Sequence, residues 1–129
     1  VRSPGLPALT MDAPAEFGGP GTRWSPEALM AAAVADCFVL TFKSVARASS
    51  LPWRTLTCET VGTLDRVEHV TQFTAFDIQA HLVVPPGTDL DRAHRLLAKA
   101  EQVCLVTNSL RSEIRFDGTV AEAAPAAGS

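Results

Sequence analysis

One stretch constrains this chain more than any other: residues 25–48, Ser-Pro-Glu-Ala-Leu-Met-Ala-Ala-Ala-Val-Ala-Asp-Cys-Phe-Val-Leu-Thr-Phe-Lys-Ser-Val-Ala-Arg-Ala. Ser25 is a good helix N-cap, because its hydroxyl can accept from a first-turn amide. Pro26 suits the first helical position, where no N–H is needed. Glu27 sets a negative charge against the positive end of the helix dipole. The run from there predicts about six turns of helix, ended near Pro52, which cannot continue it. The helix is apolar almost all round, which predicts burial on most faces and a central place in the fold. It approaches the length of a membrane span. Glu27, Asp36 and Lys43 interrupt the apolar run, however, and point to a core or subunit-interface helix instead. Its unusual residue is Cys37, in mid-helix beside Asp36.

The rest of the chain arranges itself about this helix. Residues 1–22 are rich in Pro and Gly, with a short strand expected over residues 8–12 and an irregular loop over 16–21. Beyond the helix, Leu56, Cys58, Thr60, Gly62 and Leu64 share one strand parity, and residues 65–69 suggest a turn. Phe76, Ile78, Ala80, Leu82 and Val84 then alternate along a second strand starting near Val70. Phe73 has the other parity, which implies a bulge between Phe73 and Phe76. The pair reads as an antiparallel hairpin whose apolar face covers a helix. Pro85-Pro86-Gly87 ends it. Thr88, with Asp91 three residues on, is expected to cap a second helix. Leu90, Ala93, Leu97, Ala100 and Cys104 form its apolar stripe, widened by Leu96 and Val103. Thr107-Asn108-Ser109 suggests a break and a short extra turn, with the helix continuing through Cys104 or bending there. Residues 114–120 read as a last strand and 121–129 as a small-residue tail expected to be disordered. The expectation is an α+β fold: a single domain over residues 1–120, with long helices packed against antiparallel sheet.

Composition narrows the function. The chain has 129 residues, 47% of them apolar, enough for one domain with a real core. A net charge of -3, no Lys/Arg stripe and no Tyr argue against a nucleic-acid partner. The cysteines Cys37, Cys58 and Cys104 are odd in number and widely spaced, with no recognisable signal sequence. That pattern points to a reducing cytoplasm rather than a secreted disulfide scaffold. There is no Cys-x-x-Cys pair, and His69, His81 and His94 form no short motif, so no metal is expected.

The chemistry rests on Cys37 and Cys104. Taken singly, each reads as a packed core thiol, since free Cys is among the most buried residue types. Taken as a pair on crossing helices, they could run a thiol peroxidase cycle: one thiolate becomes a sulfenic acid and the other condenses with it. The first thiol would need a cationic neighbour. Glu27 cannot be that cation but could hold an arginine in place through a bidentate pair. Arg23, close to the helix start, and Arg2, which could fold back or reach a partner subunit, are the candidates. Cys58 sits on a strand face that wants an apolar side chain and reads as inert.

Two segments carry a family resemblance. Pro14-Ala15-Glu16-Phe17-Gly18-Gly19-Pro20-Gly21 followed by Ser25-Pro26-Glu27 and the Ala-rich run to Cys37-Phe38 resembles the first-cysteine region of the OsmC/Ohr thiol peroxidases. Ala100-Glu101-Gln102-Val103-Cys104-Leu105-Val106-Thr107-Asn108-Ser109-Leu110 resembles their second-cysteine region. Ser25 stands where many members have Asn, and Asp36 where Gly or Ala is common. The resemblance implies an OsmC-like fold in which two subunits intertwine, with active sites at their interface. It implies that Cys37 is peroxidatic, that Cys104 resolves, and that Glu27 orients an arginine for which Arg2 is the positional match. It also implies organic hydroperoxides as substrates, an external dithiol such as a lipoylated protein as reductant, and no prosthetic group. An apolar substrate pocket is expected near Phe17, Phe38 and Phe42, with Trp24 at its rim. The competing reading is a non-enzymatic dimeric binder of small apolar molecules with idle thiols.

Overall fold

The computed structural model describes residues 1–124. Its long helix, α1, runs over Pro26–Ala48, and the Ser25 hydroxyl accepts from the Ala28 amide at 3.0 Å, as an N-cap should. Val34, Phe38, Phe42 and Ala46 are its fully buried residues, one every four positions. They make a single stripe along one side of the helix. Among the described residues α1 alone is long and apolar enough to cross a bilayer, with mean hydropathy 1.7. In this fold its buried stripe lies against protein. Burial on most faces does not hold within one chain: Ala33, Asp36, Leu40, Lys43 and Ser44 are exposed.

Two long strands come next, β1 over Thr55–Val67 and β2 over Val70–Val84, paired antiparallel. The turn between them is tighter than the sequence suggests. Asp65, Arg66 and Val67 pair with Gln72, Thr71 and Val70, leaving Glu68 and His69 as the loop. Both have positive φ, 49° and 68°, which a two-residue hairpin loop with the right twist requires. The expected bulge is present: Thr63 pairs with Ala75 and Leu64 with Phe73, so Thr74 is the extra residue. Beside it the Phe73 and Phe76 rings stack 4.8 Å apart over Gly62. A Cβ at Gly62 would come within 2.7 Å of the Phe73 ring, so only glycine fits.

The second helix, α2, covers Leu90–Gln102, and its N-cap is Asp89, whose carboxylate accepts from the Arg92 amide at 3.1 Å. The expected cap, Thr88, instead donates its hydroxyl to the Pro85 carbonyl and closes the preceding turn. A four-residue helix, α3, occupies Leu105–Asn108, and β3 spans Glu113–Glu122. The crossover through α2 and α3 returns the chain to the starting end of β2, so β3 pairs with β2 in parallel. The sheet is therefore mixed, in the order β1-β2-β3, rather than all antiparallel. β3 also runs to Glu122, and the Ala123 amide bonds to the Val84 carbonyl, so the ordered domain passes the expected boundary at residue 120. The remainder of the expected tail, residues 125–129, lies outside the described residues.

Phe76, Ile78, Ala80, Leu82 and Val84 are all buried on the sheet face toward the helices, as their alternation predicts. Phe38 packs on Phe116 and Phe42 on Trp53, with ring centres 5.2 and 5.5 Å apart. Ala93, Leu97, Ala100 and Cys104 complete this core. Leu90 and Val103, expected in the same stripe, are exposed because the helix begins at one and ends before the other. No strand forms over residues 8–12. Only Met11 bridges, to Trp24, since the Pro- and Gly-rich segment offers no longer ladder.

Candidate active site

The centre is built where α1 meets the break between α2 and α3. Cys37 is half-buried on α1. One turn later Thr41 donates its hydroxyl to the Cys37 carbonyl at 2.7 Å, which leaves that oxygen 3.9 Å from Cys37 Sγ. The facing backbone stops being helical at Gln102. The Cys104 amide closes a tight turn onto the Glu101 carbonyl, and Cys104 itself is extended, at φ -62° and ψ 120°, before α3 starts. Its side chain is fully buried. Leu105 and Val106, the first residues of α3, have no partner within that helix for their N–H groups. Val106 lines the same hollow as Cys37, and these amides, with the Cys104 thiol, lie on the side of the Cys37 sulfur and favour its thiolate.

The two thiols are driven apart in acidity. Burial pushes Cys37 up, but the Val106 N–H, the Cys104 thiol, the Thr41 hydroxyl and the Leu105 N–H outweigh it, and Cys37 lies below the ordinary thiol range. Cys104 is raised, first by burial and then by the neighbouring Cys37, against the opposing pull of the Thr107 N–H and hydroxyl. Cys37 is thus the better thiolate and Cys104 the protonated partner. Cys58, half-buried on β1, is raised chiefly by burial, which suits a packed thiol. Around Cys37 an open hollow of about 420 Å³ is lined by Ala33, Asp36, Leu40, Thr41, Ser44 and Val106.

The other expected residues do not all gather here. Glu27 is ten residues earlier on α1, about 15 Å along the axis at 1.5 Å per residue. It lines a separate cavity of about 300 Å³ with Glu16, Phe17, Leu64 and Phe73, and its Oε2 is buried without a hydrogen-bond partner. Among the described residues no cationic side chain pairs with Glu27. Arg23 faces Asp12 at 3.8 Å, and Arg2 is exposed near the chain start. Neither contributes to the surroundings of Cys37. Phe17 is exposed and borders the Glu27 cavity, not the Cys37 hollow. Trp24 lines a third hollow beside Arg23. Phe38 and Phe42 are wholly buried core residues, because the helical spacing that places them one and five positions after Cys37 turns them toward the sheet. Sequence pattern does not reach Thr41, Thr107, Asn108 or the Leu105 and Val106 amides as parts of the centre. A Thr four positions after Cys37 is a legible signal for the first of these.

The fold recurs in known proteins. A family model described as OsmC-like protein matches residues 19–118. The uncharacterized protein YmaD of Bacillus subtilis is 24% identical over 106 residues, which are 80% of this chain and 71% of that protein. An organic hydroperoxide resistance protein OsmC from Legionella pneumophila is 28% identical, with a TM-score of 0.72 over 91% of this chain and 83% of its own. An OsmC-like protein of unknown function from Vibrio cholerae has the same fold, with a TM-score of 0.77 at 20% identity, over 85% and 76% of the two chains. Since the matched region takes in α1, both cysteines of the centre and most of the sheet, the chain belongs to the OsmC-like protein family.

Proposed function

We propose that this protein is a cysteine-based peroxidase that reduces organic hydroperoxides. The observation that carries the reading is the Cys37–Cys104 pair: a thiol favoured as thiolate, packed against the core cluster that holds a buried thiol favoured as protonated. The Cys37 thiolate attacks the terminal oxygen of ROOH. The O–O bond breaks, the alkoxide takes a proton and leaves as alcohol, and Cys37 becomes a sulfenic acid. The Cys104 sulfur, losing its proton, then attacks the Cys37 sulfur and expels water, which leaves a Cys37–Cys104 disulfide. An external dithiol, such as a lipoylated protein, returns both to thiols. Family membership and the name of the Legionella pneumophila relative support the substrate class.

The reading includes a homodimer in the cytoplasm. Leu40, which lines the Cys37 hollow, is 53% exposed, and Val103 and Leu105, on either side of Cys104, are 54% and 72% exposed. A second copy laid on this apolar face would cover them and close the open side of the centre. It would also bring the missing cation. Glu27, with its unpartnered oxygen, is suited to hold an arginine across such an interface, and Arg2 is the residue we assign to that place. Phe17, on the rim of the Glu27 cavity, would then face the organic part of the substrate, with Trp24 farther out.

The test is hydroperoxide consumption with dihydrolipoamide as reductant. Cumene hydroperoxide should be turned over faster than hydrogen peroxide, and Cys37→Ser should stop the reaction. A protein that binds cumene hydroperoxide without consuming it would be the non-enzymatic binder.

A further inference from the structure

The amides that face Cys37 are available only because the helix stops. If α2 continued regularly, the Leu105 N–H would donate to the Glu101 carbonyl and the Val106 N–H to the Gln102 carbonyl. Instead the Glu101 carbonyl is taken by the Cys104 amide at 3.3 Å, in a turn one residue tighter than α-helix. The Gln102 carbonyl is taken by a side chain: Asn108 Nδ2 donates to it at 2.8 Å. The same nitrogen donates to the Cys104 carbonyl, also at 2.8 Å. Two carbonyl acceptors fix which end of the amide is NH₂. Asn108 therefore occupies the acceptor that the Val106 N–H would claim in an unbroken helix, and it ties both sides of the break together. Thr107 reinforces this from beneath, being buried and donating its hydroxyl to the Cys104 carbonyl at 3.3 Å.

We propose that Asn108 is a positioning residue for the reaction: it holds the α2–α3 break open and so keeps the Leu105 and Val106 N–H groups turned to the Cys37 sulfur. Without the Asn108 amide the Gln102 carbonyl loses its side-chain partner, and the Val106 N–H is the donor that takes it when α2 extends one residue at a time. Each step of that extension withdraws a donor from Cys37. Asn108 touches neither the sulfur nor the substrate and acts entirely through the backbone. The other titratable groups facing the sulfur are Cys104, from the break itself, and Asp36, which lines the hollow from α1. On β1, Cys58 lies close enough to sense the charge on Cys104. Of these, Asn108 bonds only to Cys104, through its carbonyl, and leaves Asp36 and Cys58 untouched.

This inference rests on Cys37 being the reacting thiol, and its test needs no hydroperoxide. The full chain is pulsed with iodoacetamide across a pH series, and alkylation is read on the Cys37 peptide by mass spectrometry. Asn108→Ala should move the midpoint upward by about one unit, roughly a tenfold loss of thiolate at any pH below it. Asn108→Gln, which keeps the donor, should move it less. If Asn108→Ala does not fold, Asn108→Ser gives the same reading, since its short hydroxyl cannot span two carbonyls. A folded Asn108→Ala or Asn108→Ser protein with the wild-type midpoint overturns the proposal. A displaced midpoint in a protein that consumes no hydroperoxide upholds Asn108 and removes the peroxidase reading. An unchanged midpoint in an active peroxidase removes Asn108 alone.

Discussion

The middle and the beginning of α1 hold the two halves of the proposed chemistry, and they are finished to different degrees. At Cys37 the chain supplies its own partners: the Cys104 thiol, two amides and the Thr41 hydroxyl converge on one sulfur. At Glu27, about 15 Å away, a carboxylate oxygen is buried and nothing among the described residues answers it. Buried polar atoms are nearly always satisfied, so an orphan marks a place where something else belongs. On the proposed reading, the contrast separates what one chain does alone, which is to set the acidity of a thiol, from what a second copy supplies, which is a cation.

Breaking the finished half should have the largest effect. Cys37→Ser removes the nucleophile, and hydroperoxide reduction should fall by at least about a thousandfold in stopped-flow assays. Breaking the unfinished half should cost less and leave the fold untouched. Glu27→Gln should lower kcat/KM on the order of a hundredfold through loss of the held arginine. Its melting temperature should not fall, since the lost charge has no partner among the described residues. Leu40→Glu sharpens the division further. A charge on that exposed face should shift the protein toward monomer in sedimentation and cut turnover roughly tenfold or more, and because Leu40 also lines the Cys37 hollow the new carboxylate should raise the Cys37 alkylation midpoint. The smallest effect is internal to the Cys37 centre. Thr41→Val removes the polar hydroxyl 3.9 Å from Cys37 Sγ, so the alkylation midpoint should rise by a few tenths of a unit, about twofold in rate near neutral pH. The sign of the pH dependence is fixed by the same geometry. A depressed Cys37 pKa means the rate climbs with pH and levels off earlier than for an ordinary thiol, and losing any donor moves the plateau to higher pH.

Much of this is legible from local pattern. The α1 start is plain because a cap, a proline and an acid stand in order at Ser25, Pro26 and Glu27. The Phe73 parity change announces the bulge, and the two cysteine regions announce the family. What escapes is whatever depends on three-dimensional direction. Phe38 and Phe42 stand close to Cys37 in sequence, yet the helix turns them to the sheet and out of any pocket. Thr88 and Asp89 are both good caps, and the neighbouring Pro85 carbonyl decides between them. β3 gives no local sign of being parallel, since its alternation is the same either way. Residues 107–109 hint at a break, but the consequence, two freed amides aimed at a sulfur on another helix, is a tertiary fact.

The most direct test of the central claim is peptide mapping of the reduced protein after one equivalent of cumene hydroperoxide, with Cys37→Ser and Cys104→Ser alongside. The account predicts a Cys37–Cys104 disulfide in the wild type, none in Cys37→Ser, and a trapped Cys37 sulfenic acid in Cys104→Ser. Thiols that all stay reduced, or a disulfide that includes Cys58 in place of Cys37, would contradict it.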